Sequence, residues 1–340
     1  MQHVVVITGA SAGVGRAAAT VFARKGCAVA LIARDRSRLE DAAAEVRRCG
    51  VPAMVVTADV TDHSALADAA GRIEQELGPI DVWVNNAMAT IFAPLQQISP
   101  DEFRRATEVT YLGQVYGTMV ALARMRPRNH GTIVNVGSAL AYRAIPLQSA
   151  YCGAKHAVRG FTDSLRSELL HDAVGVHLTM VHLPALNTPQ FDWALNRTGR
   201  RAQPVPPIFQ PELAARAILF AAFNRRREVW VGMPTVKTIL ANRLFPGLLD
   251  RVLAGIGYSG QLTAETQSAD APANLFGTVP GYHGAHGRFD GRARATSWQF
   301  LASEHRGATL GLAALAIGAL AGACLPRSVR QRRKKALTSR

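Results

Sequence analysis

Two short stretches of this sequence carry residue types whose spacing suits chemistry. Tyr151 and Lys155 stand four residues apart in a stretch that reads as helix, so their side chains share one face. A phenol ordinarily ionises near pH ~10 and is a poor base at neutral pH. An ammonium one turn away favours the phenolate, and such a pair can take a proton from an alcohol or give one to a carbonyl. The second stretch is Thr8-Gly9-Ala10-Ser11-Ala12-Gly13-Val14-Gly15, which joins an apolar, β-branched run to a helix. Glycines there let the backbone turn sharply and approach a pyrophosphate, and the helix N-terminus offers its free N–H groups to the charge. Gly9, Ser11, Ala12, Gly13, Val14 and Gly15 are therefore expected to touch a dinucleotide.

About twenty residues beyond such glycines a carboxylate ordinarily meets the ribose 2′-hydroxyl. Here the second strand ends in Ala33-Arg34-Asp35. A guanidinium at this place suits a 2′-phosphate, so NADP(H) is the expected cofactor. Asp35 follows one position late, which keeps NAD(H) open.

The elements that must position these residues alternate along the chain. His3–Ile7, Ala28–Ile32, Ala53–Ala58, Val82–Val84, Thr132–Val136, Val176–His182 and Glu228–Val231 read as strands. Ala17–Arg24, Arg36–Arg48, His63–Leu77, Pro100–Met125, Ser149–His171 and Pro211–Phe223 read as the helices between them. Apolar strands without alternation, each followed by a helix, predict an α/β fold: a doubly wound parallel sheet of Rossmann type with helices on both faces. Residues 1–245 are expected to form this domain, with a further helix over Asn242–Gly255. Residues 246–307 read as an irregular extension to which no role is assigned.

Taken together, the glycine octet, Asn85-Asn86-Ala87 after the fourth strand, Ser138 after the fifth, and Tyr151-Cys152-Gly153-Ala154-Lys155 resemble the short-chain dehydrogenase/reductase family in its standard-length form. The resemblance covers about residues 1–232. It implies an oxidoreductase that moves a hydride between a nicotinamide cofactor and an alcohol or carbonyl. Tyr151 would be its acid/base, Ser138 the hydroxyl on the substrate oxygen, and Lys155 a ribose ligand as well as the partner of Tyr151. It also puts Asp59 and Val60 at the adenine, Asn86 and Ala87 beside the cofactor, and Pro184 and Thr188 around the nicotinamide amide. A dimer or tetramer built on the helices Pro100–Met125 and Ser149–His171 is implied too. The chain departs from the pattern at Met88 and Ala185, where the family carries glycine, and at Thr110. Thr110 stands where the family has a catalytic asparagine that supports a proton-relaying water.

The formal charge of +15 on 340 residues is partly concentrated in the last stretch, at Arg327, Arg330, Arg332, Arg333, Lys334, Lys335 and Arg340. Before it, 308–325 is an uncharged run with a Gly318–Gly322 GxxxG pattern. It is long enough to be read as a transmembrane helix or other membrane contact, with 326–340 as a basic tail. No nucleic-acid-reading motif accompanies the charge. Cys27, Cys49, Cys152 and Cys324 are scattered without metal-ligand spacing, so no metal is expected, and inert thiols in a cytoplasmic setting are the simplest reading. The apolar run at Val4–Ile7 is too short for a signal peptide and reads as a strand. The substrate is expected to be a small alcohol or carbonyl whose identity is not legible; the resemblance implies a substrate lid after Thr188, where Phe191, Trp193 and Leu195 stand, which read either as an apolar pocket or as ordinary packing. The alternative function is a catalytically weak, nucleotide-binding regulatory or scaffold protein on the same fold, which Thr110 favours. Isomerase or dehydratase chemistry on this fold is a further option.

Overall fold

The computed structural model describes residues 2–268, 270–281, 283–307, 309 and 311. Strands β1 (Val4–Thr8), β2 (Ala28–Ala33), β3 (Ala53–Thr57) and β4 (Ile80–Asn85) alternate with helices α1 (Gly13–Arg24), α2 (Arg36–Arg47) and α3 (His63–Leu77). A short β5 (Ile91–Phe92) precedes α4 (Pro100–Thr107) and α5 (Gly113–Met125). Then come β6 (Thr132–Ser138), α6 (Ser149–His171), β7 (His177–Leu183) and α7 (Gln190–Trp193). Three short strands, β8 (Leu195–Asn196), β9 (Arg200–Ala202) and β10 (Ile208–Phe209), lead to α8 (Pro211–Phe223) and β11 (Glu228–Trp230). After these lie α9 (Met233–Leu244), α10 (Pro246–Ile256), β12 (Leu262–Thr266) and β13 (Ala293–Arg294).

All seven long-sheet strands pair in parallel, in the order β11-β7-β6-β4-β1-β2-β3. The direction of winding reverses between β1 and β4, and the carboxyl ends of these strands open the crevice where such sheets bind ligands. Every residue of β1 and β2 is buried, as continuous Val, Ile, Leu and Ala runs covered on both faces require. Helices α1, α2 and α8 pack on one side, and α3, α5 and α6 on the other. A buried polar network ties the second layer to the sheet. Asn85 Nδ2 donates to Asn135 Oδ1 at 2.9 Å and to Thr118 Oγ1 at 2.9 Å, and Asn135 Nδ2 donates to Thr162 Oγ1 at 3.0 Å. Gly117 permits this approach, since a Cβ there would stand 2.1 Å from Asn85 Oδ1.

The expected helix starts hold at α4, where Ser99 and Glu102 form a reciprocal capping box ahead of Pro100. The single helix read over Pro100–Met125 is instead two, separated by a π-turn at Glu108–Leu112, a local widening typical of functional helices. The helix read over Asn242–Gly255 is also two. Phe245, with φ −136° and ψ 53°, leaves the helical region before Pro246, because the residue preceding proline is pushed out of it.

One compact unit runs over Met1–Ser297, past the boundary at 245. In it the irregular stretch pairs β12 antiparallel to β9 and β13 parallel to β10. The remaining unit contains the short helix Trp298–Glu304. Among the described residues no helix is long and apolar enough to cross a membrane. The transmembrane, membrane-associated reading of 308–325 is corrected accordingly: that run, apart from residues 309 and 311, and the basic tail lie outside the described residues.

Candidate active site

The glycine turn follows directly from β1. Gly9 and Gly13 have φ of +66° and +56°, a region that favours glycine. A Cβ on Gly9 would come within 2.8 Å of Ala87 Cα, and one on Gly15 within 2.2 Å of the Gly9 carbonyl. Asn86 Nδ2 donates to the Thr8 carbonyl at 3.1 Å and the Gly9 carbonyl at 3.3 Å, while Thr8 Oγ1 accepts from the Asn86 and Ala87 N–H groups. Asn86 and Ala87 thus hold the turn in shape. Helix α1 has no side-chain cap; its first N–H, that of Gly13, donates to the Gly284 carbonyl at 3.1 Å, and donors at a helix N-terminus suit an anion.

The cavity above this turn has a volume of about 190 Å³ and is lined by Gly9, Ser11, Ala12, Gly13 and Val14. Arg34, Asp59, Val60 and Thr188 line its other sides. Gly15 lies beneath the turn rather than on the wall. Burial works against the charge of Asp59, but the Thr61 N–H, the Arg105 side chain and the Thr61 hydroxyl hold its carboxyl below the ordinary value. Arg34 donates to the carbonyls of Asn274 at 2.6 Å, Gly277 at 3.2 Å and Phe276 at 3.3 Å. Sequence reasoning missed Arg38, one helical turn beyond Arg34, whose Nε donates to the Gly281 carbonyl at 3.3 Å. Its spacing from Arg34 was the available signal.

A second cavity, of about 460 Å³, shares Val14, Asn86, Met88, Thr188 and Gln190 with the first. Ser138, Tyr151, Lys155 and Pro184 all line it. Ser138 ends β6, and Tyr151 and Lys155 project from the first turns of α6. The Tyr151 and Ser138 side chains line this cavity together, and the Ser138 hydroxyl accepts from the Leu140 N–H at 3.1 Å. Lys155 is buried, donates to the Val136 carbonyl at 2.7 Å and has its Nζ 5.6 Å from the Tyr151 ring centre. Burial pushes the Tyr151 phenol above its ordinary value, against the smaller opposing influence of the Ser138 hydroxyl. Burial also pushes the Lys155 ammonium down to about 7. The effect expected of the ammonium on the phenol is therefore outweighed here by burial. Cys152 is buried and its thiol is pushed up to about 11, as a packed, inert thiol should be.

Thr110 is not brought to this group. Its hydroxyl donates to the Ala89 carbonyl at 2.8 Å and accepts from the Ala89 N–H at 2.9 Å. The residue that does arrive is Gln114, one turn later. It is 1% exposed, and its Nε2 donates at 3.1 Å to the Val136 carbonyl that also holds Lys155. Gln114 Oε1 is buried without a hydrogen-bond partner among the described residues. No motif pointed to it. Behind Ser138, His182 Nδ1 lies 3.2 Å from the Ser138 carbonyl, and Glu228 accepts from Tyr142 at 2.5 Å and Trp230 at 2.9 Å. Burial notwithstanding, the nearby His182 ring, whose Nε2 lies 3.5 Å away, and the bonds from Tyr142 and Trp230 hold the Glu228 carboxyl far below its ordinary range.

Much of the rest of the second cavity is apolar, with Leu140, Ile145, Leu186 and Phe191 in its walls and Val252 and Leu253 of α10 on its outer side, but Arg143, Gln148, Gln203 and Lys237 also line it. Phe191 and Trp193 are buried; Phe191 packs on Phe92 and Phe289, and Trp193 on His283. Leu195 lies in β8.

The sequence profile of the short chain dehydrogenases matches residues 3–194. The chain is 33% identical over 275 residues to the uncharacterized oxidoreductase YxnA of Bacillus subtilis (80% of this chain, 76% of that protein). It is 32% identical over 264 residues to dehydrogenase/reductase SDR family member 7B of Bos taurus (74% and 80%). An alcohol dehydrogenase from the archaeon Thermococcus sibiricus, solved with 5-hydroxy-NADP, superposes with TM-score 0.59 at 27% identity (68% of this chain, 96% of that one). A metagenomic short-chain oxidoreductase in complex with NADP gives 0.57 at 25% (67% and 96%). With the turn, the strand order and the Ser138–Tyr151–Lys155 group in place, the chain belongs to the short-chain dehydrogenase family of nicotinamide-nucleotide oxidoreductases.

Proposed function

We propose that this protein is an NADP(H)-preferring reductase of apolar carbonyl compounds, with Tyr151 as the proton donor. The observation that carries this is the convergence of the Ser138, Tyr151 and Lys155 side chains on a cavity of about 460 Å³ with mostly apolar walls, within the size range of small-molecule sites. The residues at the glycine turn fit a dinucleotide: the close approaches at Gly9 and Gly15, the uncapped helix and the Arg34 guanidinium all suit phosphates. A bound nicotinamide nucleotide supplies the hydride.

The rest of the chemistry falls to the chain. Ser138 donates to the carbonyl oxygen and stabilises its developing charge. Tyr151, kept protonated by burial, gives its proton to that oxygen as it becomes an alcohol. Lys155, held on the Val136 carbonyl, offsets the phenolate charge left behind. Gln114, on the same carbonyl, is a positioning residue: its free amide oxygen accepts hydrogen bonds on the path by which Lys155 is reprotonated, the place left open by Thr110. Assembly as a dimer or tetramer through α4, α5 and α6 belongs to the same reading and is checked by light scattering.

The test is fluorescence titration with NADPH and NADH, followed by a screen of apolar ketones and aldehydes. Tighter NADPH binding and Tyr151-dependent NADPH consumption support the proposal. Binding without turnover of any carbonyl moves the assignment to a nucleotide-binding regulatory or scaffold role, which the engagement of Thr110 with Ala89 favours.

A further inference from the structure

The stretch 274–281, which belongs to no strand or helix, crosses the end of the crevice where Arg34 lies. Its backbone oxygens take the donors a dinucleotide would use. Three of them sit on Arg34 and one on Arg38, and just beyond, the Gly284 carbonyl accepts from the Gly13 N–H at 3.1 Å. The side of the stretch is fastened down. Leu275 is 1% exposed, the Asn274 N–H donates to the Trp193 carbonyl at 2.9 Å, and Arg105 Nε donates to the Leu275 carbonyl at 3.2 Å. Asn274, Thr278 and Val279 then line the cavity at this end of the crevice, which holds about 190 Å³.

We propose that residues 274–281 are an autoinhibitory strap that competes with the dinucleotide for Arg34, so that Arg34 both clasps the strap and, once the strap is displaced, binds the 2′-phosphate. This rests on the nicotinamide-nucleotide reading given above. Arg34 forms no ion pair among the described residues; its partners are neutral carbonyls. A phosphate dianion makes charge-assisted hydrogen bonds roughly twice as strong as neutral ones, so it wins the guanidinium from the strap. A dinucleotide with a bare 2′-hydroxyl must break the clasp and puts no anion in its place. Arg38, stacked 5.2 Å from the Trp193 ring centre and paired with Asp35, keeps most of its contacts either way.

The inference makes an unusual demand on one substitution. An arginine that only reads a 2′-phosphate leaves NADH binding unchanged when removed. An arginine that also clasps a competitor improves it. Dissociation constants for NADPH and NADH are measured by fluorescence on the full chain, on Arg34→Leu, and on a variant with residues 276–281 replaced by Gly and Ser at equal length, retaining Leu275. Arg34→Leu is expected to weaken NADPH at least ~10-fold and tighten NADH several-fold. The loosened strap is expected to tighten both by a similar factor, on the order of 10-fold, with an unchanged melting temperature. NADH affinity unmoved in both variants overturns the proposal, and so does weakening of both dinucleotides by the loosened strap, which would make the stretch a wall of the pocket. If the wild type binds neither dinucleotide, the cofactor reading falls with the strap; if it binds and the variants change nothing, the strap alone falls.

Discussion

The two ends of the crevice solve opposite problems. At the Arg34 end the cationic and N–H donors are already covered by backbone oxygens from 274–284, and the cavity is small. At the Tyr151 end the cavity is larger, its walls are mostly apolar, and Lys155 is buried and fixed on the Val136 carbonyl. The difference teaches that affinity and catalysis are set separately here. One end trades one set of hydrogen bonds for another when a ligand arrives, so its strength lies in differences between acceptors. The other end holds its groups in place beforehand, so its strength lies in geometry and in burial-shifted proton affinities.

The largest expected effect lies at the catalytic end. Tyr151→Phe keeps the ring and loses the proton. It should lower kcat by about 10²–10⁴-fold, the range of a positioned acid, with NADPH affinity nearly unchanged. Steady-state rates beside fluorescence titration check this. A parallel loss of cofactor affinity would show that the two ends are not separable.

The next effect is at the turn. In Gly15→Ala the new Cβ meets the Gly9 carbonyl at 2.2 Å, a backbone atom that cannot swing aside. Overpacking of this kind costs about 1–3 kcal/mol, and here the strain falls on the phosphate-binding backbone. We expect a lower melting temperature and at least ~10-fold weaker binding of both dinucleotides. Selective loss of NADPH alone would place the damage at Arg34 instead.

What was legible in the sequence follows the same division by physical cause. The octet Thr8–Gly15, the Tyr151–Lys155 spacing and Ser138 are local patterns, and the fold delivers them where a parallel sheet must, at strand carboxyl ends. The seven strands were readable because continuous apolar runs mark a sheet covered on both sides. Gln114 was not readable: a buried amide on an otherwise ordinary helix has no spacing signature, and its meaning depends on a carbonyl from β6. The strap was less readable still. It acts through backbone oxygens more than two hundred residues from Arg34, so its side chains say nothing of the contact. Phe245–Pro246 is the opposite case, a break signal visible in the sequence inside the helix read over Asn242–Gly255.

The smallest and sharpest test concerns the charge of Lys155. Its ammonium is pushed down to about 7 in the folded protein, while the unfolded chain keeps the ordinary lysine value near ~10.4. Between these values the unfolded state holds a proton that the folded state lacks, so stability rises with pH from about 7 to about 10. Lys155→Met removes that slope, and thermal melts across this window should show wild type gaining on the mutant as pH rises. In the rate profile, the protonated lysine is the form that supports proton donation by Tyr151. Carbonyl reduction should therefore fall as pH rises through an apparent value near 7 that belongs to the Tyr151–Lys155 pair. Gln114→Leu replaces the amide that shares the Val136 carbonyl with Lys155 by an apolar side chain, which desolvates the ammonium further, moves this limb to lower pH and lowers kcat a few-fold at pH 7. Gln114→Glu has the same shape and adds a negative charge, which moves the limb to higher pH. Opposite displacements by two substitutions at one buried site are the signature of an electrostatic role. Equal loss of rate in both, with the limb unmoved, would reduce Gln114 to packing.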